Sequence, residues 1–346
     1  MKTILVVATL DTKATEAGFI KEQIEVLGAK VLLLDGGVLG SPLIEPDITR
    51  EEVAAAAGCS MEEIRNIKAE AEAIGKMSVG ACNIALKLYQ EGKIHGIIGV
   101  GGGMGTAFGS GIMRALPIGV PKVMVTSQGA NPDVVKANVR TKDICMFNAV
   151  TDVVGINRLT KTIFTRAAGA VVGMANAEVK QEESGKKTVL LCAKGTTEAA
   201  NRKIRQRIID TGFVPMTFHC WGYGPAAVEQ VIKDGYINGG VIEYASDWLD
   251  RIAGGSSYPP DDRYENAGKL GLPQVFVPGS CDFVVANPGT FPDRKMQPHN
   301  QAAGLFRSKK EELIQVGQEI GEKLSKSKGP VTVVIPLKGF SICDGN

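Results

Sequence analysis

Residues 97–106 read Ile-Ile-Gly-Val-Gly-Gly-Gly-Met-Gly-Thr, an apolar run that enters a cluster of glycines and then a segment of helical character. Glycine lets the main chain approach a ligand closely, and a helix that follows offers unpaired N–H groups at the positive end of its dipole. The chemistry this permits is anion binding by backbone amides, with Gly101, Gly102, Gly103, Met104, Gly105 and Thr106 as the cradle. No Gly-Lys-Ser/Thr follows, and Met104 stands where a strict G-x-G-x-x-G has its last glycine, so the pattern is neither a P-loop nor a full dinucleotide fingerprint. A tight turn serving only helix–sheet packing is the alternative reading.

Other polar residues fall in loops that follow apolar runs. In the first half these are Asp11, Thr12 and Lys13, then Asp35, then Thr126 and Ser127. Lys13 can neutralise a phosphate, Asp35 can accept from ribose hydroxyls, and Thr106 can donate a hydroxyl or reach a metal-bound ligand. Simple helix capping by Asp11 and Thr12, and a turn at Asp35, are the competing readings. In the second half the same loop positions carry His219, Glu243, Asp282 and His299, a set suited to general acid/base work or to an N/O metal site. Their spacing matches no metal motif. Gly222-Tyr223-Gly224-Pro225 offers a second backbone nest for an anion, whereas His95 precedes its strand and falls at the opposite sheet edge, where a structural role is expected.

The elements that must position these residues repeat. Ile4–Thr9, Thr12, Gly28 and Val31–Asp35 are echoed by Val189–Ala193, Thr196, Gly212 and Val214–His219. Two further matches follow in the same order, Gly92–Gly99 with Gly235–Ile242 and Ile118–Val125 with Leu270–Val277. Each half alternates short β-rich runs with amphipathic stretches, which predicts an α/β protein of two Rossmann-like doubly wound parallel-sheet domains related by an internal repeat. Ligands of such sheets bind beyond the carboxyl ends of the strands, and that rule selects the loops above. The expected domains are 1–183 and 184–346, joined through the polar stretch Lys180–Lys187. The first carries a helical insertion over 41–90: Thr49 with Glu52, and Ser60 with Glu63, have capping-box spacing, and a break is expected near Gly75 or Gly80. The small residues of Gly169–Ala175 predict a packed helix face.

Bulk properties narrow the partners. The chain has 346 residues, 39 Lys+Arg against 37 Asp+Glu, and 44% hydrophobic residues, so two cores are affordable and no electrostatic footprint for nucleic acid or anionic membrane exists. Seven dispersed cysteines without a C-x-x-C read as reduced thiols of a cytoplasmic protein. The Ile4–Ala8 run is interrupted too soon for a signal peptide, and no apolar run approaches membrane-spanning length.

The Asp11-Thr12-Lys13 loop, Gly99–Thr106, and Leu116–Lys122 resemble signatures of the two-domain ATP-binding family that includes plant tobamovirus-resistance proteins and many uncharacterised bacterial relatives. Phe218-His219 with Gly222 and Gly224, Pro278-Gly279 with Asp282, Pro298-His299-Asn300, and Pro336–Ser341 extend that resemblance over nearly the whole chain. It implies ATP contacts at Asp11, Thr12 and Lys13, near Val38, around Gly80, Ala81 and Cys82, and at Gly102–Gly105. It also implies a homo-oligomer, a homodimer being the commonest form. Met104 and the segment Ser127–Asp143 depart from the family pattern, and the chain stops at Asn346 where relatives usually continue, which points to a shortened end.

The function expected from residues and resemblance together is ATP binding with Mg2+ in the first domain and a second ligand or substrate in the C-terminal domain, facing an interdomain cleft. The alternatives are a nucleotide-independent acid/base enzyme acting on a small acidic metabolite, and an ATP-stabilised protein-binding module.

Overall fold

Hydrophobic runs that stay apolar at every position, such as Ile4–Ala8 and Ile97–Val100, belong in sheets covered on both faces. The computed structural model describes residues 1–178 and 185–344 and divides into two units, 1–180 and 181–346. Most of the expected linker, with the expected boundary at 183–184, lies outside the described residues, as do the last two residues of the chain.

Unit 1 runs β1 (Thr3–Ala8), α1 (Ala14–Val26), β2 (Lys30–Asp35), α2 (Arg50–Ala56), α3 (Met61–Arg65), α4 (Glu70–Gln90), β3 (Gly96–Gly101), α5 (Gly103–Ala115), β4 (Lys122–Thr126), α6 (Pro132–Val139), β5 (Cys145–Asn148) and α7 (Arg158–Asn176). Its five strands are parallel in the order β2-β1-β3-β4-β5. Alternate residues of β1 serve opposite cores. Ile4 and Val6 pack with Ile20 of α1 and with Phe164 and Val171 of α7, while Leu5 and Val7 pack with Met77 of α4 and Phe108 of α5. The small-residue stretch 169–175 is, as expected, a packed face: Val171, Val172 and Ala175 are buried.

The insertion between β2 and β3 is α2–α4. Both capping boxes form: Thr49 accepts from the Glu52 N–H while Glu52 accepts from the Thr49 N–H, and Ser60 and Glu63 repeat the arrangement. The break predicted near Gly75 or Gly80 comes earlier, between α3 and α4, and α4 passes through both glycines. The reason at Gly80 is contact: a Cβ there would lie 1.8 Å from the Val53 carbonyl oxygen, so the glycine lets α2 cross α4 closely. Neither Asp11 nor Thr12 caps α1, whose N-cap is Lys13 with no side-chain bond.

Unit 2 runs β6 (Thr188–Ala193), a 3-10 turn (Gly195–Thr197), α8 (Glu198–Asp210), β7 (Val214–His219), α9 (Gly224–Lys233), β8 (Gly240–Glu243), α10 (Trp248–Ala253), α11 (Asn266–Lys269), β9 (Gln274–Phe276), β10 (Phe283–Ala286), β11 (Met296–Pro298), β12 (Gly304–Arg307), α12 (Lys310–Leu324) and β13 (Val331–Val333). The parallel sheet has the order β13-β9-β8-β6-β7, which counted along its own chain is the same 2-1-3-4-5 succession as in unit 1. Register makes the repeat residue-specific: Ala8 pairs with Asp35, and Ala193 pairs with His219. Between β9 and β13 an antiparallel sheet, β10-β12-β11, is inserted. Among the described residues no helix is long and apolar enough to cross a membrane.

One ion pair anchors the insertion of unit 1. Arg50 Nε donates to Asp35 Oδ2 at 2.7 Å, and both side chains are almost fully buried. Removing the cation strands a buried carboxylate, so Arg50→Met is expected to cost about 3–5 kcal/mol in urea denaturation of the full chain. The double variant Arg50→Met/Asp35→Asn should recover part of that loss; equal stability of Arg50→Met and the parent would refute the assigned role.

Candidate functional site

In the 2-1-3-4-5 succession, the connections from the first and third strands leave toward opposite faces of the sheet, so a crevice opens at their carboxyl ends. In unit 1 that crevice is a cavity of about 240 Å³ whose lining brings together Asp11, Thr12, Lys13, Val38 and the stretch Gly101–Gly105. Thr9, Leu39, Glu70 and Ile74 complete it, none of them singled out in the sequence.

The floor is the start of α5. Its N-cap, Gly102, supplies no side-chain bond, so the first-turn amides stay uncapped by any side chain. Two glycines have different reasons to be there. A Cβ on Gly101 would sit 2.6 Å from the Gly105 Cα, so the strand can run into the helix only without one, whereas a Cβ on Gly103 would meet nothing within 4 Å. The backbone at Gly103 therefore faces space the protein does not fill. Asp11 Oδ2 accepts from the Leu39 and Gly40 N–H groups at 2.8 and 3.1 Å and fixes the loop after β2 as the cavity wall.

Three sequence assignments change here. Asp35, expected to meet ribose hydroxyls, is fully buried, and its carboxylate is taken by the Leu10 and Gly37 N–H groups and by Arg50. Thr106 is also buried; its hydroxyl shares a 2.6 Å hydrogen bond with that of Thr126 and closes the helix start onto β4. Gly80, Ala81 and Cys82 lie in the middle of α4, with Gly80 against α2 and the Cys82 thiol 3.6 Å from the Gly111 carbonyl of α5, and burial pushes that thiol up. The insertion instead reaches the cavity through Glu70 and Ile74, one turn apart at the start of α4.

Unit 2 has its own cavity, of about 340 Å³, at the carboxyl ends of β6 and β7. Lys194 and His219 form its polar end, Trp221, Phe283 and Leu305 its apolar walls, and His299 with Asn300 enters from the β11–β12 turn. Lys194 is only 4% exposed; its Nζ donates to the Ser246 carbonyl at 3.2 Å and lies 3.7 Å from Asp250 Oδ2. Burial holds the His219 imidazole below its ordinary pKa of 6.5, and the Lys194 charge adds to the effect. Burial acts the opposite way on Asp250, raising its carboxyl. Lys194 escaped sequence reasoning; its signal is its position, one residue beyond β6, where unit 1 has Thr9 one residue beyond β1.

The structure does not bring all four expected acid/base residues together. His219 and His299 share the cavity, but both Glu243 oxygens are engaged by Arg263, at 2.7 Å from Nη1 and 2.6 Å from Nη2, in full burial. Asp282 accepts from the Ser341 hydroxyl at 2.6 Å, toward the C-terminal segment. Cys192, Cys220 and Glu243 offer ligand atoms within 4.8 Å of one another, but Arg263 Nη2 lies 3.5 Å from the Cys192 sulfur and already supplies the cation. His95 accepts from the Thr3 N–H at 3.2 Å, the structural role expected of it.

Comparison with known proteins gives a consistent assignment. Residues 2–180 match the N-terminal domain of the Uncharacterised protein family (UPF0261), and residues 186–346 match its C-terminal domain. A UPF0261 protein of Clostridium tetani is 36% identical over 99% of this chain and 86% of its own length, and one of Mesorhizobium japonicum is 32% identical over the same shares. The ToMV resistance protein Tm-1 of tomato, Solanum lycopersicum, is 31% identical over 73% of this chain and 35% of its own length. With both family domains matched in order along the two repeated units, the chain belongs to the uncharacterised protein family UPF0261.

Proposed function

We propose that this protein binds ATP in the unit 1 cavity, with Mg2+, and holds a second, smaller ligand in the cavity of unit 2. The observation that carries the nucleotide reading is the uncapped start of α5 facing open space at Gly103, with Lys13 in the same lining. Amide donors and one ammonium suit a polyphosphate, and the resemblance to an ATP-binding family makes ATP the specific choice. Glu70 brings a carboxylate to the lining, the hard donor type that Mg2+ takes alongside phosphate oxygens, whereas the buried Asp11 carboxylate serves the Leu39 and Gly40 amides. Bound there, the metal would neutralise phosphate charge next to Glu70.

A second reading rests on unit 2 alone. A depressed imidazole beside a buried lysine can perform acid/base chemistry without any nucleotide. Binding measurements on unit 1 separate the two readings.

Calorimetric titration of the full chain with ATP and Mg2+ should give saturable binding. Gly103→Val fills the space without touching the fold and should abolish it, and Lys13→Ala should weaken it by about 10- to 100-fold, the worth of a charge-assisted contact. Isotherms unchanged in both variants would remove the site. For unit 2, an NMR titration should place the His219 midpoint below 6.5. Since the unfolded chain then binds this proton more tightly, His219 contributes stability that is present above 6.5 and lost as pH falls through the folded midpoint. His219→Gln should flatten that part of the stability profile; a midpoint at or above 6.5 contradicts the partly desolvated, lysine-flanked placement.

A further inference from the structure

The cavity of unit 2 is divided by chemistry. Among the described residues that line it none is acidic, so its charge comes from Lys194 and, at most, from two imidazoles. A buried ammonium needs a partner, and the protein supplies this one incompletely. Its nearest acid, Asp250, stands 3.7 Å away and is already committed, accepting from the Ser257 hydroxyl and, at 2.9 Å, from the Val285 N–H. The Ser246 carbonyl takes one of the three lysine donors. The rest of the lining is mostly apolar: Val285, Leu305, the Phe283 ring, whose centroid lies 5.5 Å from the Lys194 ammonium, and the Trp221 indole, whose one polar group is its N–H. At about 340 Å³ the space lies at the low end of small-ligand pockets, roughly 300–1,000 Å³.

We propose that this cavity binds a small carboxylic acid with an apolar or aromatic body, its carboxylate on the Lys194 ammonium and its body against Trp221 and Phe283. The inference deepens the second-ligand reading and rests on it. A free inorganic anion would leave the apolar walls wet, and a neutral apolar molecule would leave Lys194 undercompensated. A carboxylate joined to a hydrophobic body satisfies both ends at once. Asn300 and His299, carried on the β11–β12 turn, stand at the same cavity with hydrogen-bonding groups for a hydroxyl or oxo substituent.

Trp221 reports on the cavity directly, because it is 45% exposed and lines it, whereas the other tryptophan, Trp248, is buried away from it. The full chain is titrated with 3-phenylpropionate, phenylpyruvate and 4-methyl-2-oxopentanoate, and in parallel with 3-phenylpropanamide, 3-phenylpropanol and 3-phenylpropylamine, following tryptophan emission. Saturable quenching by the acids, lost in Trp221→Phe, is expected, with the amide at least about tenfold weaker than its acid. Lys194→Met should erase the preference for acid over amide while leaving the amide affinity unchanged, with folding verified by circular dichroism. If that variant does not fold, the comparison in the parent protein decides. Equal affinity for acid and amide, or quenching by amide, alcohol or amine but by none of the acids, would overturn the carboxylate class and leave the ligand site standing. Quenching by none of the six probes would overturn both.

Discussion

A parallel sheet with the strand succession 2-1-3-4-5 imposes one constraint on everything built over it. The chain must leave the first and third strands toward opposite faces, and no connection covers the gap at their carboxyl ends. The protein meets this constraint twice, and the two cores that alternate residues of β1 face show its physical basis. Ile4 and Val6 face the core of α1 and α7, Leu5 and Val7 face the core of α4 and α5, and neither helical layer closes over the rim between them. The unit 1 cavity lies at that rim, and the unit 2 cavity lies beside it, at the carboxyl ends of β6 and its neighbour β7.

What fills the rim differs because the insertions differ. In unit 1 the insertion follows the second strand and delivers Arg50 to the residue that ends it. Arg50 also donates to the Gly40 carbonyl, so the guanidinium binds the strand end to the loop that walls the cavity. Asp35 becomes part of the scaffold. Unit 2 has no insertion at that point, for α9 begins five residues after β7 ends. The equivalent residue, His219, keeps its ring half-exposed toward its cavity, and the insertion that follows β9 provides Phe283, His299 and Leu305 around it. One register position thus yields a structural carboxylate in one copy and a cavity-facing imidazole in the other.

This difference explains what could be read in the sequence. Signals carried by neighbouring residues were legible: the apolar strands, the internal repeat, the Thr49/Glu52 and Ser60/Glu63 boxes, and the glycine run at the start of α5. Signals that depend on a partner distant in the chain were not. Asp35 before two glycines reads as a free carboxylate until Arg50, fifteen residues later, is folded onto it. Glu243 at a strand end reads as an acid/base group until Arg263 is placed against it. Gly80 reads as a weak point in a helix, and its reason is the carbonyl of Val53 on a neighbouring helix. Lys194 carries no motif at all. Burial gives it meaning, and the groups around its ammonium, the Ser246 carbonyl, Asp250 and the Phe283 ring of β10, all come from far downstream.

The two buried cations of unit 2 show how a structural charge differs from a ligand-facing one. Arg263 spends its whole guanidinium on protein: Nε on Asp247 at 3.0 Å, Nη1 on Glu229 and Glu243, and Nη2 on Glu243 and Asp247. Three carboxylates around one cation leave an excess of negative charge, which burial relieves in part by pushing the Glu229 carboxyl up. Such a cluster gains fixed geometry, since the planar fork of arginine aims its five donors in set directions at several carboxylates at once. It holds β8, α9 and the turn before α10 together beneath the sheet rim. Lys194 has the opposite balance. Its charge is compact, its acid stands at 3.7 Å, one carbonyl, that of Ser246, accepts from it, and the Phe283 ring lies beside it. A cation saturated by the fold can contribute nothing to a ligand; one left short of partners at the end of an apolar cavity supplies the attraction that the fold has not used.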